Sequence, residues 1–243
     1  MGTTIILGDG GLGRAVATAY TTRGDDVRRL GRPQAGRHDP SDLAEADLVV
    51  EASRAEAVVP NLAGALAAGA RHVVIATTGW TADEPTVESL LREHGVAAVA
   101  SPNFSLGVAL FGRLVDAAVG LFGQAPEFDP FLVEWHRRSK RDRPSGTAAA
   151  LARRIVMRHP ALATTDDLEV VSIRAGASPG MHMVAFDAPG ETVELRLTAR
   201  DRSAYAAGIL AAGDWLARRP RGPGIHQFDS VVDELLVDSP VAA

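Results

Sequence analysis

The chain has 243 residues, 46% of them hydrophobic and 23% charged, and a formal net charge of −5. That length buries a real core as one large domain or two modest ones, while the acidic balance argues against nucleic acid or an anionic membrane as the main partner. Cysteine is absent, which removes disulfides, thiolate nucleophiles and Cys-ligated metals and suits a reducing, cytoplasmic setting.

Met1 leads straight into a strand, Thr3–Leu7, with no signal-peptide pattern, and no apolar run reaches membrane-spanning length. The strand runs into Gly8-Asp9-Gly10-Gly11-Leu12-Gly13, a Gly-x-Gly-x-x-Gly pattern that opens a helix over Leu12–Arg23. Gly8 permits the tight turn, Gly10 lets the backbone approach a pyrophosphate, and Gly13 lets the helix sit close on the strand; Gly11 and Leu12 complete the loop. A simple tight turn is the alternative, and the strand-to-helix context favours a dinucleotide. The next strand, Val27–Leu30, ends in Arg28-Arg29-Leu30-Gly31-Arg32. NAD sites place an acid about twenty residues after the loop to bind the ribose hydroxyls. Cations there instead predict a 2′-phosphate guest, hence NADPH with Arg32 first and Arg29 second, NADH remaining possible; two solvated surface arginines are the other reading.

Strands at Leu48–Glu51, Val73–Ala76 and Ala97–Ala100 alternate with helical patterns at Ala55–Ala68 and Thr86–His94. That order predicts an α/β fold with a parallel sheet covered on both faces, a Rossmann dinucleotide-binding domain. From about Glu127 the texture changes to strand-like runs at Phe131–Glu134, Glu169–Arg174, His182–Phe186 and Thr192–Leu197, which predict a mixed or antiparallel sheet. Arg202 to Arg218 then reads as a helix.

Between two of these elements lies Glu134-Trp135-His136-Arg137-Arg138-Ser139-Lys140-Arg141-Asp142-Arg143-Pro144-Ser145-Gly146-Thr147. Pro144 disfavours helix at Arg143, and Ser145 or Thr147 can cap a helix from Ala148 to Met157. His136 and Lys140 therefore sit on a strand-to-helix loop. The N–H groups of that helix start, with the Thr147 hydroxyl, form a carboxylate cradle. His136 can exchange a proton near neutral pH, and Lys140 can steady developing negative charge. A solvated basic loop is the bland alternative. Elsewhere His38, His72, His94, His159 and His226 lack metal-ligand spacing, so no metal is expected, and Ser105 and Ser145 lack the base of a nucleophile. His182 is open between a structural hydrogen bond and catalysis.

The loop resembles the signature of the dihydrodipicolinate reductase (4-hydroxy-tetrahydrodipicolinate reductase) family, Glu-x-His-His-x-His-Lys-x-Asp-x-Pro-Ser-Gly-Thr-Ala. Other segments match in order: Ile75-Ala76-Thr77-Thr78-Gly79-Trp80, Ser101-Pro102-Asn103-Phe104-Ser105-Leu106-Gly107-Val108, Arg174-Ala175-Gly176 with Gly180 and His182, and, more weakly, Gly224–Asp229. The resemblance implies His136 as catalytic acid, Lys140 as its cationic helper, and Ser145, Gly146 and Thr147 at a substrate carboxylate. It implies Ala76, Thr77, Thr78, Gly79, Ser101, Asn103 and Phe104 at the cofactor, and Arg202 at the substrate. Arg137 and Ser139 stand where the family has His, Trp135 and Arg143 replace smaller residues, and the Gly-rich turn is one residue shorter; Arg137 is expected to take a role the family gives to His.

The expected enzyme binds the dinucleotide through residues 1–105 plus 203–243, with residues 106–202 inserted for substrate binding and oligomerisation. It would reduce a cyclic imine dicarboxylate, 4-hydroxy-tetrahydrodipicolinate to tetrahydrodipicolinate in lysine and diaminopimelate synthesis, as a homo-oligomer, the family's usual tetramer. The alternatives are another cyclic imine or amino acid as substrate, and a non-catalytic dinucleotide-binding redox sensor.

Overall fold

The computed structural model describes residues 2–33 and 38–238. The chain divides into two compact units, Met1–Leu106 with Arg202–Ala243, and Gly107–Asp201. In chain order the first unit opens with β1 (Thr3–Leu7), α1 (Gly11–Arg23), β2 (Asp26–Leu30), α2 (Pro40–Leu43), β3 (Ala46–Glu51), α3 (Val58–Ala67), β4 (His72–Ile75), α4 (Glu84–Glu93) and β5 (Ala97–Ala100). The insertion carries α5 (Leu106–Phe122), β6 (Asp129–His136), α6 (Gly146–Arg158), β7 (Glu169–Arg174), β8 (Gly180–Ala188) and β9 (Glu191–Ala199). The chain then returns through α7 (Ser203–Arg218), β10 (Gly224–Gln227) and α8 (Phe228–Asp238).

The first unit's sheet runs β10-β5-β4-β3-β1-β2, every pair parallel. Ile5, Ile6, Leu7, Val49, Val50, Val73, Val74 and Ile75 are wholly inaccessible, as expected of strands covered on both faces. Each such side chain contributes roughly 1.5–3 kcal/mol of burial. Against one face, α3 and α4 seat Val58, Leu62, Val87 and Leu91 with Val73 and Ile75. Elsewhere in the unit α7 approaches α1 closely, because Gly213 leaves room for the Tyr20 hydroxyl and Leu48. All strand carboxyl ends point to one edge, where ligands of such sheets bind.

The second unit's sheet runs β7-β6-β8-β9, parallel between β6 and β7 and antiparallel elsewhere. Strand alternation sets its chemistry. Leu132, Val184 and Phe186 point inward and pack with Val115, Val119, Leu151 and Ile155 of α5 and α6. The same period turns Glu134, His136 and His182 inward, farther along the strands, and all three are buried. The register pairs Glu134 with His182 on one side and with Ser172 on the other, and His136 with Arg174. One face of one sheet is thus apolar at one end and densely polar at the other.

The helix α5 is not anticipated by the sequence pattern, and neither are β10 and α8. Leu106–Phe122 is so apolar, and so interrupted by Gly107, Gly112 and Gly120, that no polar stripe marks its exposed side.

Candidate active site

The first unit offers a cradle at the β1–α1 turn. Gly8 has φ +133°, and a Cβ there would strike the Ala52 carbonyl; this left-handed turn needs glycine. A Cβ on Gly13 would strike the Gly8 carbonyl oxygen, so α1 can lie this close to β1 only without a side chain. Around Gly10 a Cβ would meet nothing within 4 Å, which leaves its surface open to a ligand. Gly10 caps α1 without a side-chain hydrogen bond, and no acid lies in the first turn. The N–H groups of Gly11, Leu12 and Gly13 therefore face outward with the positive end of the helix dipole, the arrangement a pyrophosphate needs. The Arg202 guanidinium lies against Gly11, which brings this arginine to the Gly-rich loop. Arg29 forms an ion pair with Asp9 inside that loop, and Arg32 is exposed just past β2.

At the carboxyl edge of the same sheet, Thr77, Thr78, Gly79 and Ser101 line a cavity of about 250 Å3 together with Glu84 and Gln227. Ala76 and Thr77 donate their N–H groups to the Glu51 carbonyl, and Gly79 turns the chain at φ +86°. Ser101 and Asn103 hold one another: Ser101 Oγ donates to the Asn103 carbonyl at 2.8 Å, and Asn103 N–H returns a bond at 3.1 Å. Phe104 is a core residue, its ring 4.9 Å from Phe228 and its carbonyl covered by Gly208. What it lends this edge is the placement of Asn103, not a contact surface of its own.

In the second unit the inward end of the sheet meets the start of α6. Glu134 Oε1 accepts from Ser145 N–H at 2.9 Å, Ser172 Oγ at 2.6 Å and Arg174 Nη2 at 2.7 Å. Ser145 caps α6, its hydroxyl accepting from Ala148 N–H at 3.2 Å, and the same oxygen lies 3.3 Å from His182 Nε2. His136 Nδ1 stands 3.2 Å from Glu134 Oε2; neither atom completes a well-formed hydrogen bond, and the contact is ionic when the imidazole carries its second proton. The His136 and His182 rings meet edge to face at 5.2 Å. A Cβ on Gly180 would come within 3.0 Å of His136 Nε2, so glycine there makes space for the imidazole. Lys140 pairs with Asp142 at 2.9 Å, and the Asp142 carbonyl in turn accepts from Arg174. Arg137 is exposed, with Nε 3.2 Å from Ser139 Oγ. Gly146 has open space where a Cβ would stand, so a carboxylate can reach the α6 start beside Thr147.

Burial works against the Glu134 charge, but donation from Ser145, Ser172 and Arg174 outweighs it and holds the carboxyl down to about 2. Burial, with the Lys140 and Arg174 charges, lowers the His136 proton affinity below the ordinary imidazole value, and the Glu134 charge offsets only part of that. His182 is pushed down to about 4 by burial and by His136. Glu134, His136 and His182 offer ligand atoms within 4.8 Å of one another and could hold a cation. The carboxylate's countercharge is already present in Arg174, whose side chain is 1% exposed. The set therefore reads as proton-handling machinery: an ionised carboxylate that steadies an imidazole able to give up a proton.

These groups make stability depend on pH. His182 binds its proton with a pKa of about 4 when folded, against 6.5 unperturbed, so the unfolded chain takes up a proton that the folded chain refuses. Stability of the second unit is expected to fall by up to about 3 kcal/mol as pH drops from 6.5 to 4. Unfolding measured across that range should lose much of this slope in His182→Gln. An unchanged slope would assign the loss to other groups.

Of the residues that the sequence singles out, His136, Lys140, Ser145, Gly146 and Thr147 share one loop and helix start. Glu134, Ser172 and Arg174 join them in the structure without having stood out as site residues, and His182, open on sequence grounds, sits among them. Their period-2 spacing is visible in the sequence, but the register that stacks them on one another is not.

Residues 8–104 match the family model for the dihydrodipicolinate reductase N-terminus, and residues 107–232 match that for its C-terminus. The chain is 34% identical to the 4-hydroxy-tetrahydrodipicolinate reductase of Rhodopseudomonas palustris (strain BisB18), over 94% of this chain and 96% of that protein. It is also 34% identical to the enzyme of that name from Archaeoglobus fulgidus, over 85% of this chain and 82% of the other. The solved structure of dipicolinate-bound dihydrodipicolinate reductase from Paenisporosarcina sp. TG-14 matches with a TM-score of 0.74 at 18% identity, over 93% of this chain and 97% of that one, which shows a common fold. With both of its units matched in order and its relatives aligned over most of their length, the chain belongs to the dihydrodipicolinate reductase family.

Proposed function

We propose that this oxidoreductase carries out the NADPH-dependent reduction of 4-hydroxy-tetrahydrodipicolinate to tetrahydrodipicolinate, on the route to diaminopimelate and lysine. The observation that carries the reading is the buried Glu134–His136–His182 cluster joined through Ser145 to the start of α6. Departure of the 4-hydroxyl as water leaves a conjugated ring, to which the reduced dinucleotide, when bound at the Gly-rich loop and the Thr77–Gly79 edge, would supply a hydride. His136 delivers a proton to the neighbouring carbon and is steadied by Glu134 as it changes charge. Lys140 offsets the negative charge that develops on the ring. The N–H groups at Gly146 and Thr147, with the dipole of α6, hold one carboxylate, and Arg137 takes part in binding the substrate. Arg202, lying against Gly11, is within reach of anionic groups at that loop.

Loss of reduced-nicotinamide absorbance with 4-hydroxy-tetrahydrodipicolinate, set beside a panel of other cyclic imines and cyclic amino acids, tests the substrate. Higher kcat/KM for another imine would favour a different substrate in specialised metabolism, a reading supported by Arg137 and Ser139, which bond to each other where the family carries histidines. No oxidation with any of them would leave a non-catalytic dinucleotide binder. Trp135, Val171 and Ile173 expose apolar surface on the outward face of the second sheet, which supports assembly with further copies of this chain.

For the dinucleotide, Arg32 is the first partner of a 2′-phosphate and Arg29 the second. Asp9 stands in the way: it occupies Arg29 and opposes an incoming phosphate. Asp9→Asn is expected to improve binding of NADPH relative to NADH by about tenfold, the effect of one nearby charge removed at a partly exposed site. Titration of both nucleotides checks it, and an unchanged ratio would place the adenosine ribose away from Arg29.

A further inference from the structure

Glu51 ends β3 at the carboxyl edge of the parallel sheet and is wholly inaccessible to solvent. Its Oε1 accepts from Ser53 N–H at 2.9 Å, from the Ser53 hydroxyl, and from Thr77 Oγ1 at 3.0 Å. Its Oε2 accepts from Asn61 Nδ2 at 2.7 Å. The Ser53 N–H and the Asn61 amide nitrogen can only donate. Asn61 also reaches Ser53 Oγ at 3.3 Å, which turns the serine proton toward the carboxylate. The two donor-only groups match the ionised form, while the Ser53 and Thr77 hydroxyls can also accept, Thr77 having the Glu51 carbonyl at 3.4 Å as another acceptor for its own proton. Burial outweighs these donors and raises the proton affinity of the group above the ordinary carboxylate value, so the charge it carries is held at a cost. Among the described residues none of the groups bonded to Glu51 is a cation.

A buried, unpaired carboxylate is costly to a fold. Joining two turns and a helix by hydrogen bonds does not require one, since neutral side chains of similar size can do so. The charge lies one hydrogen bond from Thr77, and Thr77 with Thr78 and Gly79 lines the 250 Å3 cavity. That proximity gives the charge a use. We infer that Glu51 is a positioning residue that fixes the Thr77 turn and lends the nicotinamide pocket a negative potential, favouring the oxidised, positively charged ring over the neutral reduced one. As the hydride leaves with its electron pair for the substrate, positive charge appears on the ring, and a buried anion nearby lowers the cost of that change. The inference rests on the proposed function, in which this cavity receives the nicotinamide.

The test compares dissociation constants for NADP+ and NADPH in the wild-type chain and in Glu51→Gln, by fluorescence titration without substrate. The amide is expected to weaken NADP+ on the order of tenfold more than NADPH, because only the oxidised ring loses a charge–charge attraction. A merely structural role predicts equal weakening of both, and that result, or no change in either, would overturn the inference while leaving the enzyme's reaction untouched. Wild-type chain that binds neither nucleotide would instead remove the cofactor reading itself, and this inference with it. Asn61→Lys sets a cation against the intact carboxylate and is expected to move the ratio in the same direction. It carries the test if Glu51→Gln does not fold, and an unmoved ratio there overturns the inference as well.

Discussion

Replacing His136 by Gln is expected to lower turnover by about a hundredfold or more with NADPH binding unchanged. The substitution keeps a polar side chain of similar length in the space that Gly180 leaves open, so the inner face of the sheet has little reason to rearrange. What it removes is a titratable proton. Burial and the Lys140 and Arg174 charges loosen that proton and Glu134 offsets only part of the loss, so the imidazole, once protonated, gives its proton up readily. In the proposed function the nucleotide is held by the Gly8–Gly13 loop and the Thr77–Gly79 turn, which belong to the other unit, and a titration of NADPH should return the wild-type value. Turnover within a few-fold of wild type would take His136 out of the chemistry and leave proton delivery to Lys140 or solvent. A loss confined to KM would make it a binding group.

Much of the first unit was legible because its signals are local and ordered. Five strands alternate with helical patterns, and the three glycines fall between the first strand and the first helix, where the φ of Gly8 and the close approach of Gly13 show the steric need for two of them. The mixed sheet of the second unit was legible as strands but not as a site. Glu134 and Arg174 are 40 residues apart, and only the parallel register of β6 on β7, together with the antiparallel register of β8, stacks Glu134, Ser172, Arg174 and His182 around His136. Register depends on which hydrophobic faces are buried together, a property of the assembled sheet. For the same reason Glu51 passed as one more residue at the end of a buried strand. Its partners come from Ser53, Asn61 and Thr77, contributed by three separate turns and helices. Asp9 meets Arg29 only because the parallel pairing of β1 with β2 lays the two side by side.

The second large effect is expected at Glu134, which no solvent reaches. Glu134→Gln preserves volume and one carbonyl oxygen but removes the negative charge opposite the buried Arg174 guanidinium. Breaking a buried pair by neutralising one partner commonly costs about 3–5 kcal/mol, because the other charge remains without compensation; about 3 kcal/mol is expected here, since Arg174 keeps bonds to the Asp142 and Ile173 carbonyls. The loss should appear as earlier unfolding of the second unit in calorimetry. Activity should fall for a separate reason: without the carboxylate the His136 proton is held less tightly, so the alkaline limb of the kcat profile should move to lower pH. The two consequences can be pulled apart with Glu134→Leu/Arg174→Met, which removes both charges together. Replacing a buried pair by apolar groups is often neutral or stabilising, so the double variant should recover part of the lost stability and none of the lost turnover. Recovery of both would mean that the pair only holds the sheet together. Recovery of stability alone would mean that the charge on Glu134 is retained at the bottom of the site, despite the cost of burying it, to keep a proton on His136.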